Sequence, residues 1–194
     1  ESGRKIPLIE ETDIVVVGGS ARAVAAAVAA AKSGSQVYLV CDLPYLGEEV
    51  CASHLYEREK DEELQTTLAR RIFQSASIPT PMAVKKTLED ALIDNGVKFL
   101  YSSYATNVLV DAAGEAAGVV IANRSGREAI RCKAIIDATH EAVVAGFLNA
   151  ERTPFQPGEQ DFDFTVVGNS PKQAKEIIGI HPWKKELQVG SAHY

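Results

Sequence analysis

Apolar and polar positions along this chain fall into blocks whose lengths and periods predict alternating strands and helices. Residues 13–17 read Asp-Ile-Val-Val-Val and end in Gly18 and Gly19. A β-branched run without polar alternation suits a strand buried on both faces of a parallel sheet. Residues 21–32 are almost all alanine, with Val24 and Val28 on one face, which predicts a helix able to lie close to a sheet. Gly34 closes that helix, and residues 36–41 form a second apolar strand. Residues 43–47, Leu-Pro-Tyr-Leu-Gly, read as a turn, and the polar stretch 48–63 as irregular. Helical spacing returns at 64–75, and prolines punctuate 77–81. Residues 81–95 are amphipathic, with Val84, Leu88, Ala91 and Leu92 on one face and Gly96 as the stop. Residues 97–101 are a further strand. Alternating segments at 105–111, 117–123 and 128–132, separated by Ala113-Gly114 and Ser125-Gly126, predict a β-meander. An apolar strand at 134–138 leads into Asp137-Ala138-Thr139-His140, and 141–148 can form a helix that His140 caps. The fold class expected is α/β. Strands 13–17, 36–41, 99–101 and 134–138 form one Rossmann-like parallel sheet with helices, and the meander is inserted before the last strand.

The first strand, glycine turn, helix and second strand make the βαβ unit that seats a nucleotide pyrophosphate at a helix N-terminus. In the register G-x-G-x-x-G/A, Gly18 is the first glycine, Ser20 stands at the second and Ala23 at the third. Gly18 makes the turn. Ser20 adds a side chain where the backbone approaches the phosphates, but its hydroxyl can donate to one. Alanine at the third position still allows close helix–strand packing. Arg22 lies in the first helical turn, within reach of phosphate, although a cation at a helix N-terminus is otherwise unfavourable. The acid that binds ribose hydroxyls belongs at the end of the second strand, where Cys41 stands and Asp42 follows one residue later. A bound pyrophosphate is expected over residues 18–23, including Gly19. The alternative is a nucleotide fold that holds no ligand.

Composition narrows the class. The 194 residues are 46% hydrophobic and 24% charged, as in an ordinary soluble globular protein of one domain or slightly more. A net charge of −6 argues against a nucleic-acid surface. No apolar run approaches the ~20 residues of a membrane span. Cys41, Cys51 and Cys132 show no C-x-x-C pair and no metal-ligand spacing, so no metal is expected. The chain starts at Glu1 without methionine. That fits a soluble protein of the cytoplasm or one exported after signal removal.

The stretches DIVVVGGSARAVAAAVAAAKSG, LPYLGEE, PTPMAVKKTLEDALIDNGVKFLY and CKAIIDATH, in this order, carry a family resemblance. Over about residues 12–150 the chain resembles the FAD-binding domain of glutathione-reductase-like FAD-dependent oxidoreductases, in their bacterial branch. The resemblance implies an FAD/NAD(P)-binding type of domain, FAD as cofactor and a small-molecule substrate. It places Asp137, of the Asp-Ala-Thr sequence, near the cofactor, with His140 where a glycine usually follows. It brings Leu46-Gly47-Glu48, an altered L-G-G, towards the flavin. It also implies that residues 151–194, with a strand at 162–167 and a helix at 171–178, only begin a substrate or interface domain. A second polypeptide chain, a homo-oligomer or a further part of the precursor would then pack there and complete the flavin pocket. Two other readings stay open, a non-catalytic nucleotide-fold subunit of a complex and an NAD-binding domain; the meander favours FAD over NAD.

Candidate chemistry is sparse. Cys51 and His54 follow the segment expected beside the flavin, where either could tether the cofactor or the thiolate could exchange electrons with it. A loop cysteine and a solvated histidine are the plainer account. His140 can reach phosphate or ribityl oxygens or simply cap the next helix. Glu48 and Glu49 read most simply as solvated carboxylates.

Overall fold

The computed structural model describes residues 5–52, 63–74, 79–151 and 153. The chain divides into two compact units, Glu1–Gln156 and Pro157–Tyr194. The second unit, with the strand expected at 162–167 and the helix at 171–178, lies outside the described residues, as does His54.

In chain order the elements are β1 (Leu8–Glu11), β2 (Ile14–Val17), α1 (Ala21–Lys32), β3 (Val37–Val40), α2 (Glu48–Cys51), α3 (Thr67–Phe73) and α4 (Pro81–Asp94). They continue with β4 (Lys98–Leu100), β5 (Tyr104–Val110), β6 (Ala116–Asn123), β7 (Gly126–Arg131), β8 (Ala134–Asp137) and α5 (Val143–Phe147). One sheet has the order β4-β3-β2-β8 and is parallel throughout. The order requires crossovers, and α1 supplies the one from β2 to β3. The second sheet, β1-β7-β6-β5, is the predicted antiparallel meander with one addition: β1 joins its edge, parallel to β7. This strand was not foreseen. Leu-Ile-Glu-Glu is short and mostly exposed, and its partner is over a hundred residues away, so no local periodicity announces it.

The strand residues divide the interior into two cores because side chains alternate across a pleat. Val16 of β2 and Val37, Leu39 and the following Cys41 face the helical layer, packing with Ala23, Val24 and Ala27 of α1 and with Val84, Leu88 and Leu92 of α4. Val15 and Val17 of β2 and Val40 of β3 face the meander, meeting Val119, Ile121, Ile130 and Cys132, with Val144 of α5. The two central strands, β2 and β3, are thus covered on both sides, which accounts for their continuous hydrophobicity, while the edge strands β4 and β8 are only partly buried.

At the opposite end of the strands from the glycine turn, Asp13 ties three chain segments together. Its carboxylate accepts from the Gln36 N–H at 2.8 Å and from Lys133 Nζ at 2.7 Å, and its carbonyl accepts from the N–H groups of Lys133 and Ala134.

Helix ends differ from sequence expectation where capping overrides periodicity. Thr66 caps α3 and Thr80 caps α4, each hydroxyl accepting a backbone N–H three residues on, so α3 starts later than the apolar spacing suggested. Residues 48–51, expected irregular, form α2, one short turn started from Gly47 in a left-handed conformation. No helix among the described residues is long and apolar enough to cross a membrane.

Leu88 of α4 is fully buried, packed beside Gly47 in the helical-side core. Leu88→Ala is therefore expected to cost about 2–5 kcal/mol of stability, read as a lowered midpoint in urea unfolding.

Candidate dinucleotide site

The site is built at the C-terminal ends of the parallel strands, where open α/β sheets bind ligands. The chain leaves β2 at Gly18, whose N–H donates to the Val40 carbonyl at 2.8 Å. Gly18 has φ +132, and a Cβ there would stand 2.6 Å from the Ala138 carbonyl oxygen. The turn is thus wedged between the ends of β3 and β8, and only glycine fits it. At Gly19 the constraint is a neighbour: an added Cβ would collide with Cys41 Sγ.

Ser20 is the N-cap of α1. Its backbone is extended, with φ −70 and ψ 163, and its Oγ accepts from the Ala23 N–H at 3.1 Å. The hydroxyl's own proton stays available for a further acceptor. The residue at the second-glycine position therefore starts the helix. Ala23 is completely buried, as close packing at the third position requires. Arg22 is exposed.

The segment after β3 folds back onto this turn. The Gly47 N–H donates to the Gly19 carbonyl at 2.8 Å, and Gly47, at φ +80, presses against Leu88 and Val84. From α2, Glu49 reaches across, and its Oε1 accepts from the Ala21 N–H at 2.6 Å. Ala21 is the first residue of α1, so a carboxylate oxygen lies at the positive end of the helix. Glu48 points to an exposed position.

The other sequence candidates divide. Cys41 is buried with its Sγ donating to the Tyr45 carbonyl, and burial pushes its thiol up to about 11, against the opposing pull of the Leu43 backbone N–H. It acts as a small core residue under Gly19. Asp42 is exposed. Cys51 is buried on α2, its Sγ 3.7 Å from the Pro81 carbonyl. Burial raises its thiol, Lys85 opposes the shift and Glu49 adds to it, so the nucleophilic thiolate is disfavoured.

Asp137 ends β8 directly beside Val17. Its Oδ1 accepts from the N–H and hydroxyl of Thr139, and its Oδ2 from the Ala145 N–H at 2.9 Å. Burial raises its carboxyl, but the Thr139 hydroxyl and the backbone N–H groups of Ala145, Thr139 and Val144 outweigh it and hold it below the ordinary carboxylate range. His140 is exposed and does not cap the helix, whose N-cap is Ala142; the first helical N–H, that of Val143, is taken by Thr139 Oγ1 at 2.8 Å. Sequence reasoning missed Glu49 and Thr139. The two-residue Asp–Thr spacing was a readable turn signal. Nothing in Glu48-Glu49 says which carboxylate turns inward.

With this geometry in place, similarity to known proteins identifies the family. The FAD dependent oxidoreductase family profile matches residues 13–163. The chain belongs to this family, and FAD is the family's cofactor. No curated protein sequence matches the chain. Among solved structures, THI4 of Thermovibrio ammonificans is similar over 72% of this chain and 62% of its own, with 20% identity and a TM-score of 0.56. A geranylgeranyl bacteriochlorophyll reductase-like protein of Thermoplasma acidophilum is similar over 71% of this chain and 42% of its own, with 19% identity and a TM-score of 0.54. At these identities the likeness concerns the fold. The chain spans about six tenths or less of the length of these two proteins.

Two tests follow from the crowding and the capping. Gly19→Ala is expected to destabilise by about 1–3 kcal/mol through overpacking, and Cys41→Ala to restore part of the loss in the double mutant. Strictly additive losses in denaturant unfolding would sink this contact as the cause. Asp137→Ala is expected to cost about 1–3 kcal/mol at neutral pH by stripping acceptors from the turn into α5. The folded-state carboxyl is depressed, so the wild-type advantage is complete above the ordinary carboxylate range. It is lost as pH falls through the lower folded value, and paired unfolding curves across acid pH measure this.

Proposed function

We propose that residues 13–151 form the FAD-binding portion of an oxidoreductase acting on a small-molecule substrate, with the FAD diphosphate at the N-terminus of α1. The observation that carries this reading is the Ala21 N–H, which already takes an anionic oxygen in a turn crowded enough to require Gly18 and Gly19. A diphosphate oxygen is an acceptor of the same kind as the Glu49 carboxylate, so the donor set fits the group.

The roles of the chain's own residues follow. Gly18 brings the backbone round, and the N-terminus of α1 holds the diphosphate through backbone N–H groups, with Ser20 Oγ–H as a further donor. Asp42 is the nearest carboxylate in sequence to the end of β3 and offers the ribose an acceptor. The segment at Gly47 and Glu48, tied to Gly19, forms the wall on the flavin side. Arg22, exposed in the first turn, offsets phosphate charge. Asp137 and Thr139 act indirectly by holding the β8–α5 turn against Gly18, and His140 stands exposed beside that turn. When bound, FAD supplies the electron-transfer chemistry, and the protein supplies orientation and electrostatics. Cys51, held as a buried thiol, is read as structural. Substrate handling falls to a further portion, from a second chain, a second copy or more of the same precursor, packed on the C-terminal part. The span of at most 62% of the similar structures supports that extension.

The test uses Ala21→Pro. Ala21 is the first helical position, where proline is tolerated, and Ser20 before it has the extended backbone that proline prefers. The substitution removes one N–H and leaves the helix. Wild-type protein is expected to bind FAD stoichiometrically by flavin fluorescence quenching. In a Glu49→Ala background, where the carboxylate no longer takes that N–H, Ala21→Pro should raise the dissociation constant about tenfold or more, the scale of one hydrogen bond to a charged group. Equal affinity in a folded variant would remove α1 as the diphosphate seat.

A further inference from the structure

We propose that Glu49 is a built-in competitor for the cofactor, its carboxylate occupying the diphosphate position at the N-terminus of α1 until FAD displaces it. The inference rests on the FAD reading above and adds a regulatory contact to it. Three observations carry it. Oε1 of Glu49 lies 2.6 Å from the Ala21 nitrogen, a short charge-assisted contact at the positive end of a twelve-residue helix. Glu49 is held on α2, which begins directly after Gly47, and the Gly47 N–H is bonded to the Gly19 carbonyl. The carboxylate is therefore delivered by the same segment that lines the glycine turn. Its neighbour Glu48 is exposed, so of the two acids only Glu49 turns onto the helix end.

The consequence is an exchange. A diphosphate and a carboxylate cannot both accept from the Ala21 N–H at short distance, and two anions at one helix end repel. FAD binding requires the Glu49 side chain to swing away about its own torsions, and the segment can stay tied to Gly19 while it does. The measured affinity is then the intrinsic affinity reduced by the fraction of molecules with the helix end uncovered.

The experiment titrates folded wild-type, Glu49→Ala and Glu49→Gln proteins with FAD and, separately, with ADP, which carries the diphosphate without the flavin. Circular dichroism confirms folding, and Glu49→Gln decides alone if Glu49→Ala does not fold. Both ligands are expected to bind about tenfold tighter to Glu49→Ala, and less than that to Glu49→Gln, which keeps an acceptor oxygen but loses the charge. The gain should persist at about 0.5 M salt, because displacement of a bonded group is not a screened through-space effect. A gain abolished by salt overturns the inference in favour of general repulsion. Unchanged or weaker binding in the variants, with FAD still binding to wild type, overturns it and leaves the FAD reading standing. If neither FAD nor ADP binds any of the folded proteins, both fall together.

Discussion

The tight convergence of three parallel strands on one glycine turn is the constraint from which the rest of this domain is arranged. Gly18 lies between the Val40 carbonyl, which it donates to, and the Ala138 carbonyl, which leaves no room for a Cβ. Gly19 lies over the Cys41 sulfur with no more space. Because the turn is this close, α1 starts directly above the strand ends, and its alanines bring it down onto Val16 and Leu39. Cys41 also becomes intelligible here. A longer acidic side chain pointing the same way would displace Gly19, whereas a thiol whose proton is held firmly by burial packs as a small apolar group.

The same crowding explains why the second sheet matters to the site. Val15, Val17 and Val40 present the other face of the strands to the meander, and Val144 of α5 closes that layer. The Asp137–Thr139 turn joins the layer to the glycine turn. Two of its four bonds take the Val143 and Ala145 N–H groups that the start of α5 would otherwise leave unpaired, and the other two fold Thr139 onto Asp137. Asp137 ends β8 beside Val17, and the hydrogen bonds of both its oxygens hold the chain where it enters α5.

The legible part of the fold was the part governed by short periods. The βαβ unit, the four parallel strands and the meander follow from β-branched runs, alanine runs and glycine turns that act within a dozen residues. What escaped was long-range or side-chain specific. β1 exists because Arg131 and its neighbours offer an open edge, a fact that Leu8 and Ile9 do not encode locally. The first N–H of α5 is taken by the Thr139 hydroxyl, four residues back and past the exposed His140, a placement invisible in hydropathy. The glycine register located the turn between β2 and α1, but Ser20 reads differently once its oxygen is found on the Ala23 N–H. A residue that looks like damage to a binding motif also caps the helix that the motif depends on.

This last point extends to the energetics of the site. The cofactor-free turn must satisfy the same backbone donors that a diphosphate would use. Ser20 satisfies one from within the helix and Glu49 another from the adjoining segment. Each such bond stabilises the cofactor-free fold and, where it occupies a donor the ligand needs, subtracts from affinity by the same amount. Ser20 escapes the conflict, since the Ala23 N–H is turned into the cap and the hydroxyl proton is still free to point outward. Glu49 does not escape it, because the Ala21 N–H has a single proton and points along the helix axis towards any anion. A domain of this size has only a small net stability to distribute. If the diphosphate takes the Ala21 N–H as proposed, the stability of the turn and the strength of its grip on the cofactor are set against each other at one backbone hydrogen.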